Sequence, residues 1–355
     1  MDGGRVRGEE DLVRRIARMF PSAGRQVTVS LGDDAAVLRL APSRPLVVTT
    51  DQLVEGVHFR RATHPPELLG EKAVSVNLSD LAAMGASPRW ALMSLFLPPD
   101  LSAPYLEEVL RGMARRCSKV GVELVGGNLT SSKVLALDVT LLGLLPAGVR
   151  PLRRVGARAG DSIYVSGHLG GSALGLGLLG KGWRWAGGRA RKRRASAPAM
   201  RCATRALRKH FCPEPELELG LLLARHRLAS AAMDLSDGLS LDLRRLCRAS
   251  GVGARILSGS LPLDPAALQL AGERNALGLA LNGGEDYRLL FTVPPGRATL
   301  LRRLVSPDKL HPIGRIVPLR EGVKLVDEKG RAKPLTPLGY DHLKAAHRGK
   351  ARRRG

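Results

Sequence analysis

The sequence predicts a mixed α/β (α+β) protein built as two domains, and three observations carry that expectation. Helix-period and strand-period patterns alternate along the whole chain, which excludes an all-helical or all-β fold. The 355 residues, 44% of them apolar, suit two cores better than one. A Pro-, Gly- and Arg-rich stretch over 146–160 then separates two runs of elements. The expected division is 1–149, then 150–345 with a basic insertion near 181–198, and a disordered basic tail over 346–355.

The first domain opens with a short helix over 11–20, and β-branched content makes strands of 36–40 and 46–50. Pro65 and Pro66 suit the start of a long helix over 67–84, which Gly85 closes. A strand at 91–97, a helix at 105–120, a short strand at 123–125 and a longer one at 134–145 follow. The second domain opens with a strand over 162–165 and a glycine-rich turn into a helix, GHLGGSALGLGLL. Helices over 200–210, 217–226 and 239–250 and strands over 231–233, 254–257, 287–293 and 311–317 complete it.

Composition narrows the function. Only 12 residues are aromatic, so the core is aliphatic and a platform that stacks nucleic-acid bases is disfavoured. The four cysteines show neither a C-x-x-C pair nor histidines at zinc-ligand spacing, and read as reduced, buried thiols. No apolar run approaches the roughly 20 residues of a membrane span, and the N-terminus lacks a signal-peptide core. A cytoplasmic protein with no membrane partner is expected. The net charge of +24 concentrates in two places: 11 Lys/Arg without an acid over 181–210, and six against one over 341–355. That concentration argues for solvated basic loops over a nucleic-acid ligand, with a polyanion contact as the alternative.

The acidic residues carry more. Asp33 and Asp34 lie in LGDDAAVL, Asp51 ends VVTTD, Asp80 lies in VNLSDLAAMGA, Asp234 and Asp237 in MDLSDGLS, and Glu285 and Asp286 in GGEDY. Carboxylates at the ends of apolar strands are costly to desolvate unless a cation or backbone amides meet them. Several together point to hard cations such as Mg²⁺, and such a site generally serves a polyphosphate. Plain structural readings stand beside this: a helix cap for Asp234 and Asp237, a turn for Asp33 and Asp34. Residues 175–181 fit G-x-G-x-x-G and the front of a phosphate loop, but Gly182 replaces the metal-holding Ser or Thr, so helix packing is expected. Gly126 and Gly127 are either a phosphate approach or a glycine turn. His58 either reaches the pocket of Asp51 or is structural.

GDDAAVL, TTDQLVEGVHF, KAVSVNLSDLAAMGASPRWALMSLFLP, GDSIYVSG, MDLSDGLSLDL, GGEDYRLLFTV, IGRI and GYDH, in this order over about 30–342, resemble the thiamine-monophosphate kinase family. The resemblance implies the aminoimidazole ribonucleotide synthetase-like fold, an N-terminal sheet domain that dimerises and a C-terminal α/β domain. It implies ATP-dependent phosphorylation of thiamine monophosphate to thiamine diphosphate with several Mg²⁺ ions. Asp34, Thr49, Thr50, Asp51, Asp80, Asp234 and Asp237 would hold metal; Gly127, Asn128, Arg154 and Ser236 would contact ATP; His58 and Glu285 would face the thiamine substrate. An acceptor phosphate is ionised at neutral pH, so no general base is expected. Three departures stand out: Asn128 where the family carries an aspartate ligand, its carbonyl still able to meet Mg²⁺; Pro337 in place of an aromatic; and Glu216 in place of an arginine. Two alternatives accompany this reading: a relative on the same fold acting on another small anion, or a weakened ATP- or polyanion-binding protein.

Overall fold

A computed structural model describes residues 15–16, 18–20, 26–29, 37–38, 40 and 44–338. Most of the expected first helix, Asp33, Asp34 and the basic tail lie outside the described residues. Two compact units share the chain: Met1–Pro151 with Phe211–Arg225, and Leu152–His210 with His226–Gly355. The segment Phe211–Arg225 therefore packs with the first unit, an arrangement that a single boundary near residue 150 cannot express.

In the first unit, strands β1 (Val27–Val29) and β2 (Val37–Leu38) form a small antiparallel pair. A four-stranded sheet runs β3 (Leu46–Val54), β6 (Ala136–Leu144), β4 (Ser87–Leu97), β5 (Glu123–Ser131), antiparallel except for the parallel β4–β5 pair. One face carries Leu53, Leu137 and Leu95 in register and packs into a core with Leu69, Leu78 and Leu110. Those three come from helices α1 (Pro66–Met84) and α2 (Ala103–Val120). The other face leaves Leu46, Val48 and Leu92 exposed. Pro66 opens α1 and Gly85 closes it in the left-handed conformation, as the sequence expects.

A buried cation holds the returning segment. Arg116 of α2, 2% exposed, donates to Ser75 Oγ at 2.7 Å, to the Pro213 carbonyl at 2.7 Å and to Glu214 at 3.0 Å. Burying a guanidinium is tolerable because its fork is met on several sides. Cys212 Sγ adds a contact to Glu71 at 3.1 Å.

The second unit is a seven-stranded sheet in the order β10 (Ala231–Asp234), β12 (Leu289–Val293), β7 (Ser162–Val165), β13 (His311–Pro318), β11 (Val252–Leu257), β14 (Val323–Val326), β15 (Ala332–Pro334). Edge strand β10 pairs antiparallel with β12, which in turn pairs antiparallel with β7. Helix α3 (Gly171–Gly180) follows the glycine-rich turn; a Cβ at Gly175 would stand 2.4 Å from the Ala206 carbonyl oxygen, which is the close packing expected there. The basic insertion is not a featureless loop: Arg184–Ala186 and Arg189–Arg191 pair as a hairpin, β8 and β9, before helix α4 (Ala197–Phe211). After α5 (Leu217–Arg225) and α6 (Leu239–Ser250) come three helices the sequence patterns did not announce, α7 (Pro265–Ala271), α8 (Glu273–Asn282) and α9 (Ala298–Leu304). Two of the three have only seven residues, too few to show a period.

Among the described residues no helix is long and apolar enough to cross a membrane. All four cysteines are buried and free, and desolvation pushes the thiols of Cys117, Cys212 and Cys247 up to about 12. Arg116→Met should cost about 3 kcal/mol in urea unfolding, because the Pro213 carbonyl and Ser75 hydroxyl lose a buried donor. A loss below 0.5 kcal/mol would show that Arg116 does not anchor the segment.

Candidate functional site

The first unit gathers hydroxyls and carboxylates where β3 faces α1. Side chains alternate along a strand, so Thr49 and Asp51 share the face of the core residue Leu53 while Thr50 points the other way. Thr49 Oγ1 donates to Asp80 Oδ2 of α1 at 2.5 Å. Asp51 is exposed one step further along that face, and Asp80 is half-buried. On the opposite face Thr50 Oγ1 donates to Asp138 Oδ1 at 3.0 Å and receives the Thr140 hydroxyl at 2.9 Å.

The pairing of β5 extends this division. Asn128 lies opposite Ser94, and Ser94 opposite Asp138, so the Asn128 side chain belongs to the face of Thr50. Gly127 lies in the row of Met93, Val139 and Asp51. Strand β5 continues through both glycines instead of turning there, with a shift in its pairing to β4 at Val125 just before them. A Cβ on Gly127 would stand 1.9 Å from the Met93 carbonyl oxygen, so close strand approach by itself requires glycine. The expected ligands Thr49, Thr50, Asp51, Asp80 and Asn128 are thus split by the sheet into two sets. His58 is tied locally: the Val54 N–H donates to its Nδ1 at 3.0 Å, which puts the ring proton on Nε2, and its own N–H returns to the Val54 carbonyl.

The second unit builds its own polar cluster from two loops. Asp234, 4% exposed, ends β10. Beyond it, Leu235 N–H donates to the Arg288 carbonyl, Glu285 N–H to the Ser236 carbonyl at 2.7 Å, and Tyr287 N–H to the Leu235 carbonyl. These bonds lace the MDLSDG loop to the GGEDY loop and hold Glu285 at φ 65° and Tyr287 at φ 49°. Such values cost a non-glycine residue of order 1 kcal/mol, and they concentrate at functional sites.

Neither Asp234 nor Asp237 caps helix α6. The cap position is Gly238, with no side-chain bond. Asp237 Oδ2 instead receives Arg245 Nη1 at 2.5 Å, and Asp242 Oδ1 receives the same nitrogen at 2.7 Å. Desolvation, then the neighbouring Asp237 charge, pushes the fully buried Asp242 up to about 6. Glu285 Oε2 lies 3.1 Å from His210 Nδ1, which also stands 3.4 Å from Ser172 Oγ. Asp286 receives the Gly170 and Ser172 N–H groups at 2.6 and 3.3 Å where α3 begins, and desolvation raises it to about 6. The Arg154 side chain is exposed, while its carbonyl receives the Ser250 hydroxyl.

Asp138, Asp242, Arg245 and His210 were not singled out by the sequence patterns. A signal existed for two of them: Asp242 and Arg245 are three apart on one helix face, just after MDLSDG. Among the described residues no three His, Cys, Asp or Glu side chains meet in a ready-made ion cage, and Asp34 lies outside those residues.

Known proteins show the same architecture. Residues 32–145 match the AIR synthase related protein N-terminal domain, and 158–326 the corresponding C-terminal domain. The thiamine-monophosphate kinase of Salmonella typhimurium is 38% identical over 340 residues, 95% of this chain and 98% of that protein. The crystal structure of thiamine-monophosphate kinase from Stenotrophomonas maltophilia superposes with a TM-score of 0.76 at 34% identity, covering 91% and 96% of the two chains. AaThiL complexed with AMPPCP and TMP gives 0.72 at 36% identity, covering 94% and 97%.

The raised Asp286 carboxyl fixes the sign of a pH effect. The native state holds this proton more tightly than the unfolded chain, so the group's contribution is complete below about pH 4 and is lost as pH rises through about 6. Urea unfolding between pH 4 and 7 should show a fall of at most about 3 kcal/mol from this group, and Asp286→Asn should remove that part of the slope. An identical slope in the variant would mean that Asp286 is not desolvated.

Proposed function

The chain belongs to the thiamine-monophosphate kinase family, and on that premise we propose that it transfers the γ-phosphoryl group of ATP to thiamine monophosphate, giving thiamine diphosphate and ADP. The observation that carries the reading is the Thr49–Asp80 bond beside Asp51, a set of hard oxygens on one face of β3. These donors fit Mg²⁺ and not a thiol-seeking metal. We assign Thr49, Asp51 and Asp80 with Asp34 in the first unit, and Asp234 and Asp237 in the second, each to metal holding, and Thr50 and Asn128 to a separate contribution from the opposite sheet face. Bound Mg²⁺ would supply charge neutralisation for the phosphates.

This chain's own residues then position the reactants. Without a cation, Asp51 and Asp80 would repel the anionic phosphates, so carboxylates here bind nucleotide only as metal carriers. The exposed Arg154 guanidinium is suited to a phosphate, and the Ser236 hydroxyl and the Gly127 backbone are assigned to ATP. Glu285 is assigned to the cationic thiamine moiety, its carboxylate oriented by His210. His58, its ring pinned by the Val54 amide, is the second substrate contact. The acceptor phosphate carries its own negative oxygen, so holding two repelling anions in line is the main catalytic task.

Two finer points extend the proposal. The exposed Leu46, Val48 and Leu92 on the outer face of the four-stranded sheet suit a homodimer contact. Four free thiols suit the reducing cytoplasm.

The deciding assay incubates the protein with ATP, Mg²⁺ and either thiamine monophosphate or thiamine, following thiamine diphosphate and ADP by chromatography. Product from the monophosphate alone, in step with ADP, is expected; ATP turnover indifferent to thiamine monophosphate would favour a different small anion as substrate. Asp51→Asn should lower kcat/KM by at least about 100-fold through lost charge at the metal-holding face. Asn128→Asp should lower the Mg²⁺ concentration for half activity, and a rise would show that the amide serves a different ion arrangement.

A further inference from the structure

The basic segment after Gly180 takes no part in this chemistry, yet it is ordered and tied down. Trp183 and Ala190 are buried, and the Ala190 N–H donates to Thr204 Oγ1 at 3.0 Å, fixing the Arg184–Ala186/Arg189–Arg191 hairpin to helix α4. Lys192 lies over the Trp183 ring, 5.7 Å from its centroid. From Lys181 to Arg208 ten Lys and Arg side chains are exposed, and no Asp or Glu occurs through His210. Among the described residues none of the ten has a carboxylate partner; in this stretch the carboxylate contacts belong to Lys209, with Asp264, and to His210, with Glu285.

Two features mark this surface as more than scattered charge. Arg184 stands directly opposite Arg191 across the hairpin, a like-charge pair that destabilises the strands unless an anion lies over it. Arg201, Arg205 and Arg208 line the exposed side of α4, while Cys202, Ala203, Ala206 and Leu207 are buried on the other.

We propose that this hairpin and helix face bind the phosphodiester backbone of a nucleic-acid strand. Eight of the ten cations are arginines, whose forked donors match phosphate oxygens. Alternate strand residues such as Arg189 and Arg191 stand about 6.8 Å apart, twice the axial charge spacing of one DNA strand. Residues four apart on the helix rise about 6 Å, a similar step. No large apolar side chain is exposed between Lys181 and Arg208, so the wedge that an anionic membrane surface requires is missing. Trp183 is buried and Trp185 half-buried, which leaves no stacking platform and makes the contact independent of sequence.

The test is fluorescence anisotropy of the full chain with labelled RNA and DNA single strands of about 20 nucleotides between about 50 and 200 mM salt, beside poly-glutamate and phosphatidylserine vesicles. Strand affinity should fall with salt by a logarithmic slope of about −0.7 per phosphate engaged. The combined Arg189→Ser, Arg191→Ser, Arg193→Ser, Arg194→Ser variant should keep its urea midpoint and kinase rate, bind strands at least about tenfold more weakly, and lose about 2–3 units of slope. A preference between RNA and DNA identifies the source of the backbone. Unchanged strand binding in the variant overturns the proposal, as does tighter binding of poly-glutamate or vesicles than of strands at equal charge.

Discussion

Strand β3 can offer only alternate residues to one side, and the chemistry of the first unit depends on that restriction. Leu53 must face the helices to complete the core, so Thr49 and Asp51 face them as well, and Thr49 meets Asp80. Sliding the strand by one residue would bury Thr50 and send Asp51 to the outer face. Nine paired positions with β6 fix the register. The same rows that build the core therefore hold the polar residues in place, and the first unit's site costs little extra ordering.

The second unit meets a different constraint: its carboxylates are desolvated and have to be paid for locally. Asp242 shares Arg245 with Asp237, and Asp286 is answered by two backbone amides at the start of α3. Backbone amides form a fixed cradle that no rotamer change can withdraw, whereas a guanidinium shared between two acids can turn toward either. Glu285 occupies strained backbone because its own N–H and that of Tyr287 are bonded to the MDLSDG loop, so its carboxylate is aimed by the main chain before any ligand arrives.

Much of this was legible in the sequence where the signal is local. Proline and glycine punctuate α1, and acids set at strand ends (Asp51, Asp234), in an apolar helical pattern (Asp80) and at a glycine turn (Glu285) stand out as residues that need partners. Partners far away in sequence were not legible. Thr49 and Asp80 are 31 residues apart, and Glu285 and His210 are brought together only by the fold. The pair Gly126-Gly127 looks like a turn because glycine is common in turns, but the Met93 carbonyl of the neighbouring strand is what excludes a side chain at Gly127. The missed helix α7 did carry a sign in Asp264-Pro265, a capping acid before a first-turn proline, in a segment too short for periodicity to support it.

The return of Phe211–Arg225 to the first unit also bears on how the chain is made. A fragment ending near Pro151 keeps Ser75 but lacks the Pro213 and Glu214 partners of Arg116, so the first unit is not a module that one cut can release. During synthesis the missing piece trails by 74 residues, roughly 4–15 s at ordinary translation speed. Through that interval the nascent first unit carries a guanidinium met by Ser75 without Pro213 or Glu214, and an uncovered helix surface at Ala82, where Gly220 will later seat. Chaperone demand should therefore peak while the second unit's first strands are emerging.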